Sequence, residues 1–240
     1  MLLDWLAPTV MRLEAFFANF TGNSHQRAAI QLLQEEMPPE LLKPDAEWFQ
    51  IWKAGGKIVP FGVPYLHQLD LEGGEYKCFT AAMAMIAKNH GVIETLKQYD
   101  DLRSQYGDTI EVMAHIKALQ SLDLTPEFVQ NGTIDLIEAE IDAGRPIGVG
   151  WLHRGDITRG EPPMGIGHWS VIIGYTENFF IVHDPMGEHD LKTGRLRSEK
   201  GGNAVHYAKE DFLFRWEVEG PGTGWAMLVD PFSPIMTFEN

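Results

Sequence analysis

A change in hydrophobic pattern along the chain most constrains the fold that it can adopt. Apolar residues recur at helical spacing in separate segments as far as about residue 143. Beyond that point they gather in short runs rich in Val, Ile and aromatic residues, bounded by Gly, Pro and Asp. Helices followed by strands that short turns connect predict an α+β protein, with helices packed on an antiparallel sheet.

Three helices and four strands are predicted in the larger, C-terminal part of the chain. The helices cover residues 78–90, 110–121 and 134–143, and the strands cover residues 146–152, 168–176, 179–183 and 224–229. Gly91 stands where a C-cap glycine belongs, and Asp108 and Glu111 have the spacing of a capping box before the second helix. Glu177-Asn178 predicts a tight turn between two adjacent strands.

Residues 1–57 are predicted to form a separate helical segment. Apolar residues recur there at helical spacing, and Gly55-Gly56 breaks the pattern. No chemistry is evident in this segment, so we interpret it as a packing or docking appendage through which the chain could join a larger assembly. Residues 58–240 then form the main domain.

The charge and the apolar content argue against several classes of partner and against a membrane-spanning segment. The formal charge is −15, from 34 acidic and 19 basic residues, which argues against nucleic acid and anionic membranes as partners. No window is long and apolar enough for a membrane span. The first 20 residues lack a basic start and contain Asp4 and Glu14, so no signal peptide is predicted. Association with a virion, or delivery to the cell envelope by another route, stays open.

The chain contains a single cysteine, so an intrachain disulfide and a cysteine-rich zinc site are both excluded. Cys78 begins the first helix of the main domain, where unpaired backbone N–H groups and the helix dipole favour negative charge. A thiol whose pKa is lowered in this way is a nucleophile near neutral pH. A lone cysteine is more often a small buried apolar residue, so the interpretation depends on its neighbours.

His168 is the histidine best placed to serve Cys78 as a base. It follows a glycine and begins a strand, and the hairpin partner of that strand ends just before Asp184. Because antiparallel strands of this length bring their outer ends together, Asp184 could accept a hydrogen bond from His168 and fix its tautomer. Gln68, in the loop before the helix, could donate to an oxyanion together with the Cys78 N–H. The alternative for Gln68 is a solvated loop residue.

Other catalytic chemistries lack their motifs. His183-Asp184 and His189-Asp190 offer nitrogen and oxygen ligands, but the chain has no His-Glu-x-x-His or comparable metal-binding pair on one helix. A Gly-x-Ser-x-Gly turn and a phosphate-binding loop are also absent from the sequence. We therefore expect no metal or organic cofactor.

Five short segments, in this order along the chain, carry a resemblance to a known family. They are Val63–Gln68, Cys78 with Ala81–Met85, Gly167–Trp169, Val171–Tyr175 and His183–Pro185. Over about residues 59–230 the chain resembles the bacteriocin-processing (double-glycine leader) peptidase-like branch of the papain-like cysteine peptidases. The resemblance is closest to the stand-alone relatives in bacteria and their phages.

The resemblance implies a papain-like α+β fold and assigns a role to each of four residues. Cys78 is the implied nucleophile, His168 the base, Asp184 the residue that orients the base, and Gln68 the oxyanion donor. The chain departs from the family in two ways. Phe79 follows the cysteine, where the family usually has a small or polar residue, and the Gln68–Cys78 spacing is longer than in transporter-linked members.

Two functions are consistent with the sequence. The first is a cysteine peptidase that cleaves peptide bonds through an acyl-enzyme, acting on a peptide or a peptidoglycan cross-link. Trp151 and Trp169 are then expected at the border of the substrate cleft. The second is a catalytically impaired papain-like module that serves as a structural or binding component of a phage particle or secretion assembly, with Phe79 crowding the cleft.

Overall fold

The computed structural model describes residues 56–59 and 62–231. The helices predicted before residue 56 lie outside the described residues. The described residues contain five α-helices: α1 (Cys78–Asn89), α2 (Leu96–Ser104), α3 (Val112–Gln120), α4 (Ile134–Asp142) and α5 (Lys209–Trp216). None of the helices in these ranges is long and apolar enough to cross a bilayer.

Seven strands of the described chain form one antiparallel sheet, and two more form a small separate hairpin. The strands are β1 (Lys57–Ile58), β2 (Leu124–Gly132), β3 (Ile147–Trp151), β4 (His168–Tyr175), β5 (Phe179–His183), β6 (Glu188–Asp190), β7 (Arg195–Ser198), β8 (Val205–Ala208) and β9 (Gly224–Pro231). The main sheet has the order β2-β9-β3-β4-β5-β8, and β1 pairs with β4 outside this path. Strands β6 and β7 pair with each other. The predicted α+β class, with helices on an antiparallel sheet, is confirmed.

Helix α1 packs against the two central strands β3 and β4. All its residues from Phe79 to Ala87 are buried, so this helix forms the centre of the core. Alanine and methionine dominate it, and these small or pliable side chains let the helix lie close to the sheet. A Cβ atom on Gly148 of β3 would overlap the end of the Met83 side chain, which shows how closely the two layers approach.

The termini of the predicted helices are partly confirmed. Helix α1 ends as expected, with Gly91 at φ 72°, and the Val92 N–H donates to the Ala87 carbonyl in a Schellman motif. The predicted capping box is wrong. Helix α3 begins at Val112, and its N-cap residue Glu111 accepts no side-chain hydrogen bond. The Asp108 carboxylate instead accepts from the Ile110 N–H at 3.3 Å.

The four predicted strands are confirmed as β3, β4, β5 and β9. The additional strand β2 lies at the edge of the sheet, paired only with β9. It contains Pro126, a residue that edge strands tolerate but that weakens a sequence pattern for a strand. Helix α2 is also not predicted, because its sequence is mostly polar and only Leu96, Tyr99 and Arg103 are buried.

Candidate active site

Cys78 is the first residue of α1. The N-cap residue Lys77 makes no side-chain cap, and the first helical hydrogen bond runs from the Ala81 N–H to the Lys77 carbonyl. The backbone N–H groups of the first turn therefore have no partner within the helix, and the helix dipole adds positive potential there. Cys78 itself is partly exposed. The start of α1 thus suits a reactive thiolate.

His168 begins β4, the strand on which α1 packs. The Cys78 sulfur lies close enough to this imidazole and to the Trp169 backbone N–H for both to lower the pKa of the thiol. The imidazole Nε2 lies 2.6 Å from Oδ1 of Asp184, so the nitrogen that faces the sulfur is Nδ1. Both His168 and Asp184 are buried. The structure therefore brings three of the four predicted site residues together, with His168 hydrogen-bonded to Asp184 and next to the Cys78 sulfur.

Asp184 directly follows β5, and both of its carboxylate oxygens take part in hydrogen bonds. Its Oδ1 accepts from His168 and, at 3.1 Å, from the Met186 N–H. Its Oδ2 lies 2.9 Å from Nδ1 of His189 and accepts from the Tyr207 hydroxyl at 2.9 Å. A buried carboxylate with this many donors is strongly stabilised in its ionised form.

The charges of the three groups follow from these contacts. Burial alone would raise the pKa of Asp184, but the positive charge of His168 and the hydrogen bonds from His168 and His189 hold it far below its usual range. Burial alone would lower the pKa of His168, but the Asp184 charge and hydrogen bond raise it to about 10. Burial alone would raise the pKa of Cys78, and the hydrogen bond and charge of His168 outweigh that and lower it. The pair thus favours thiolate and imidazolium.

Gln68 lies in the loop before α1, at the start of a short 3₁₀ turn, and is buried. Its Nε2 donates to the Gly74 carbonyl at 2.8 Å, and its Oε1 has no partner among the described residues. The Gln68 backbone N–H donates to the Pro185 carbonyl at 2.9 Å, which ties this loop to the segment that carries Asp184. Gln68 is therefore an ordered residue next to the site, not a solvated one.

The two tryptophans predicted at the cleft border are both buried. Trp151 is 2% exposed, donates to the Ser170 hydroxyl at 3.1 Å, and meets the His168 ring edge-on with 5.2 Å between centroids. Trp169 is 9% exposed and stacks on Phe79. Both side chains thus pack inside the domain, and Trp151 contacts the His168 ring edge-on. Their role in substrate binding stays a prediction.

Phe79 is buried in the core. Its ring is stacked between Trp169, at 3.8 Å between centroids and 4° between planes, and His115, at 3.8 Å and 30°. Phe79 is 2% exposed. The departure from the family at this position is accommodated in the core, where three flat rings fill the space beside the start of α1.

Three further side chains surround the His168–Asp184 pair. The rings of His153 and His189 lie 5.3 and 5.1 Å from the His168 ring, and Tyr207 contacts Asp184. Burial, followed by the neighbouring imidazoles, lowers the pKa of His153 to about 3, so it stays neutral. The sequence analysis considered His189 only as a possible metal ligand and assigned no role to His153 or Tyr207. In the structure, burial alternates along Val205–Ala208, and Tyr207 is one of its buried residues.

The ligand-type atoms of His168, Asp184 and His189 all lie within 4.8 Å of one another. That spacing could suit a metal ion. Each imidazole nitrogen that faces the carboxylate is at hydrogen-bond distance, 2.6 and 2.9 Å, so a cation would have to displace the two protons between them. We therefore interpret the cluster as a hydrogen-bonded one.

The chain is similar to a known family and to several solved structures. Residues 61–218 match the Peptidase_C39 like family. The fold is similar to that of a C39-like peptidase from Bacillus anthracis, with a TM-score of 0.50 at 14% identity over 72% of this chain and 96% of that one. It also resembles the peptidase domain of Streptococcus ComA, a bifunctional ABC transporter involved in quorum sensing, with a TM-score of 0.48 at 18% identity over 71% and 99%.

A third similar structure is a double glycine motif protease from an AMS/PCAT transporter in complex with its leader peptide. It has a TM-score of 0.45 at 16% identity over 73% of this chain and 98% of that one. No curated protein sequence matches the chain. The family match extends over more than half of the chain and includes Cys78, His168 and Asp184, and the Bacillus anthracis structure confirms the predicted papain-like fold. This protein therefore belongs to the Peptidase_C39 like family.

Proposed function

We propose that the protein is a cysteine peptidase that cleaves peptide bonds through an acyl-enzyme. The observation that carries the proposal is that the His168 imidazole lies next to the Cys78 sulfur and is hydrogen-bonded to the Asp184 carboxylate. Nucleophile, base and orienting group in hydrogen-bond reach of one another are the arrangement that thiol catalysis needs. Membership of a peptidase family supports the same activity.

In the first half of the proposed reaction, the Cys78 thiolate attacks the carbonyl carbon of a peptide bond and a carbon–sulfur bond forms. The imidazolium of His168 then gives its Nδ1 proton to the amine, and the carbon–nitrogen bond breaks. In the second half, His168 takes a proton from water, hydroxide adds to the thioester, and the carbon–sulfur bond breaks to release a carboxylic acid. Asp184 holds the His168 ring in place throughout.

Gln68 is the proposed oxyanion donor, together with the backbone N–H of Cys78. The side-chain amide uses one N–H for Gly74, which leaves the other for a developing oxyanion. Such a donor typically contributes about 3–4 kcal/mol to the transition state. The tie from the Gln68 backbone to Pro185 supports this role, because it keeps the amide close to the segment that carries Asp184.

The proposed substrate is a peptide or a peptidoglycan cross-link, since both present an amide carbonyl to the sulfur. The alternative is an impaired module that acts as a structural or binding component of a phage particle or secretion assembly, docked through residues 1–57. One argument for that alternative is lost, because Phe79 is buried away from the cleft.

Alkylation by iodoacetamide tests the proposal directly, because Cys78 is the only cysteine. We expect fast alkylation at about pH 6, well below the value of about 8.5 for a free thiol. The His168→Ala variant should lose this fast reaction, whereas a matched change of the exposed His206 to Ala should keep it. Slow alkylation of the wild-type protein, confined to alkaline pH, contradicts the proposal and favours the impaired module.

The substrate is identified by incubating the protein with a peptide library and with purified cell walls. Cleavage of either by the wild-type protein, and by neither Cys78→Ala nor His168→Ala, establishes the substrate class. An activated thiol without cleavage of any peptide or cell wall favours the binding module over the peptidase.

A further inference from the structure

Asp184 has more hydrogen-bond donors than the orientation of one histidine requires. Oδ1 faces His168 and the Met186 N–H, while Oδ2 faces His189 at 2.9 Å and the Tyr207 hydroxyl at 2.9 Å. The Oδ2 donors come from β6 and β8, which belong to two different sheets. Two parts of the fold thus converge on the carboxylate oxygen that does not face His168.

These two donors are also tied to each other. The His189 backbone N–H donates to the Tyr207 hydroxyl oxygen at 2.9 Å, and that hydroxyl donates to Asp184. The His189 and His168 rings both meet the face or edge of Trp151, with 5.6 and 5.2 Å between centroids. One carboxylate is therefore flanked by two imidazoles on a common aromatic support. Small rotations of the carboxylate would break contacts with both.

A carboxylate shares one negative charge between two oxygens. Each donor to Oδ2 stabilises charge there and reduces the charge that Oδ1 offers to His168. Because Asp184 is fully buried, water cannot take over the role of a donor that is removed. The Oδ2 donors must therefore affect both the direction of the carboxylate and the strength with which it holds the His168 proton.

We propose that His189 and Tyr207 are positioning residues of the proposed peptidase, which fix the Asp184 carboxylate and, by sharing its charge, set the pH at which His168 loses its proton. The inference rests on the proposed function. Neither residue is expected to contact the sulfur or a substrate, and both act through Asp184.

Other titratable groups near His168 and Asp184 also influence the titration of His168. Those that face or surround His168 and Asp184 are Cys78 from α1, Tyr65 from the segment after β1, His153 from the loop after β3, His189 from β6 and Tyr207 from β8. All of them except the residue that is changed stay the same in each comparison below. A shift in the titration of His168 therefore reports the changed donor.

The charge-sharing half of the proposal is tested with Tyr207→Phe, which removes one hydroxyl and little else. We expect the ring signals of His168, assigned in NMR spectra by comparison with His168→Ala, to titrate at higher pH by about half a unit or more, because Oδ1 gains charge. The exposed neighbour His206 provides the control His206→Ala, which should not move that titration. An unchanged or lowered titration pH in Tyr207→Phe overturns charge sharing.

The positioning half is tested by comparing His189→Ala with His189→Asn. The asparagine amide keeps an N–H donor near the position of the imidazole Nδ1, whereas alanine leaves Oδ2 without it. We expect alkylation of Cys78 at neutral pH to fall about tenfold in His189→Ala and to stay within about threefold of wild type in His189→Asn, the size typical for partners of a functional group. Equal rates in all three proteins overturn the role of His189.

The outcomes separate this inference from the proposed function. A wild-type thiol that is activated, combined with variants of His189 and Tyr207 that match wild type, rejects the positioning role and leaves the peptidase proposal intact. A wild-type thiol that reacts only at alkaline pH rejects the peptidase proposal itself. If His189→Ala fails to fold, as judged by circular dichroism, the Tyr207→Phe titration and the His189→Asn rate decide.

Discussion

The proposed reactivity of Cys78 depends on the charge of Asp184, a residue that acts on the thiol through His168. Asp184 raises the pKa of His168, so the imidazole stays protonated beside the sulfur and lowers the pKa of the thiol. The carboxylate itself stays ionised although it is buried, because its donors outweigh desolvation. Among these single residues, the Asp184 carboxylate keeps His168 protonated, and the His168 imidazolium in turn favours the thiolate of Cys78.

The change of Asp184 to Asn tests this dependence with almost no change of size. We expect the His168 ring to titrate at least about one unit lower and alkylation of Cys78 at neutral pH to fall about tenfold, because the imidazolium loses its counter-charge. Asp142→Asn is the matched control, since that carboxylate lies at the surface and accepts only from the Tyr175 hydroxyl. An alkylation profile identical to wild type would show that Asp184 does not act on the pair.

A second residue-scale expectation concerns Phe79. Because its ring is stacked between Trp169 and His115, Phe79→Ala should lower the free energy of unfolding by about 3–5 kcal/mol, the usual cost of a large buried ring. Urea unfolding at neutral pH measures this. The control Tyr76→Ala changes an exposed ring two residues before Cys78 and should have little effect. A stable, more active Phe79→Ala would instead indicate that the ring limits access to the sulfur.

The loop before α1 determines the position of the Gln68 side chain. A Cβ atom on Gly74 would overlap the Gln68 carbonyl, whereas Gly73 has open space around it. The loop can therefore hold Gln68 in its buried position only if residue 74 lacks a side chain. The position of the proposed oxyanion donor therefore depends on the backbone of this short turn.

We accordingly expect Gly74→Ala to displace Gln68 and to reduce peptide turnover about tenfold or more, with alkylation of Cys78 unchanged, because alkylation forms no oxyanion. The measurement is the ratio of the two rates. In the control Gly73→Ala the backbone at φ 66° is strained, so stability should fall by about 1 kcal/mol while turnover is kept. Loss of both rates in Gly74→Ala would point to a general distortion of α1.

Over the described part of the molecule, two buried neutral histidines are expected to contribute to the response of the protein to acid. Burial, opposed by a hydrogen bond to a backbone carbonyl, lowers the pKa of both His115 and His183 to about 4. Both bind a proton more weakly in the folded than in the unfolded protein, so stability is complete above about pH 6.5 and is lost as the pH falls from there towards 4.

Urea unfolding at about pH 7 and about pH 4.5 tests this expectation. Each histidine should contribute a loss on the order of 2 kcal/mol across this interval. His115→Gln keeps a donor for the Thr109 carbonyl but cannot be protonated, so its stability should depend less on pH than that of wild type. Equal pH dependence in the two proteins would mean that His115 is not protonated on unfolding.

Elements with local sequence patterns could be predicted without coordinates. Helix α1 has a capping glycine and a run of apolar residues, and strands β3, β4, β5 and β9 consist of β-branched and aromatic residues between turn signals. The start of α1 and the β4–β5 hairpin are local features as well, so the candidates Cys78, His168 and Asp184 could be identified without coordinates. The edge strand with Pro126 and the polar helix α2 could not, because contacts with the rest of the chain stabilise them.

The surroundings of Asp184 depend on how distant parts of the chain pack together. The hairpin itself has a register shift between Ile172 and Gly174, and one extra residue reverses which face of a strand each side chain occupies. His189 and Tyr207 reach Oδ2 from two sheets, and Phe79 lies in an aromatic stack rather than in the cleft. Such contacts join residues far apart in the chain, and their geometry comes from packing, for which a local pattern carries no information.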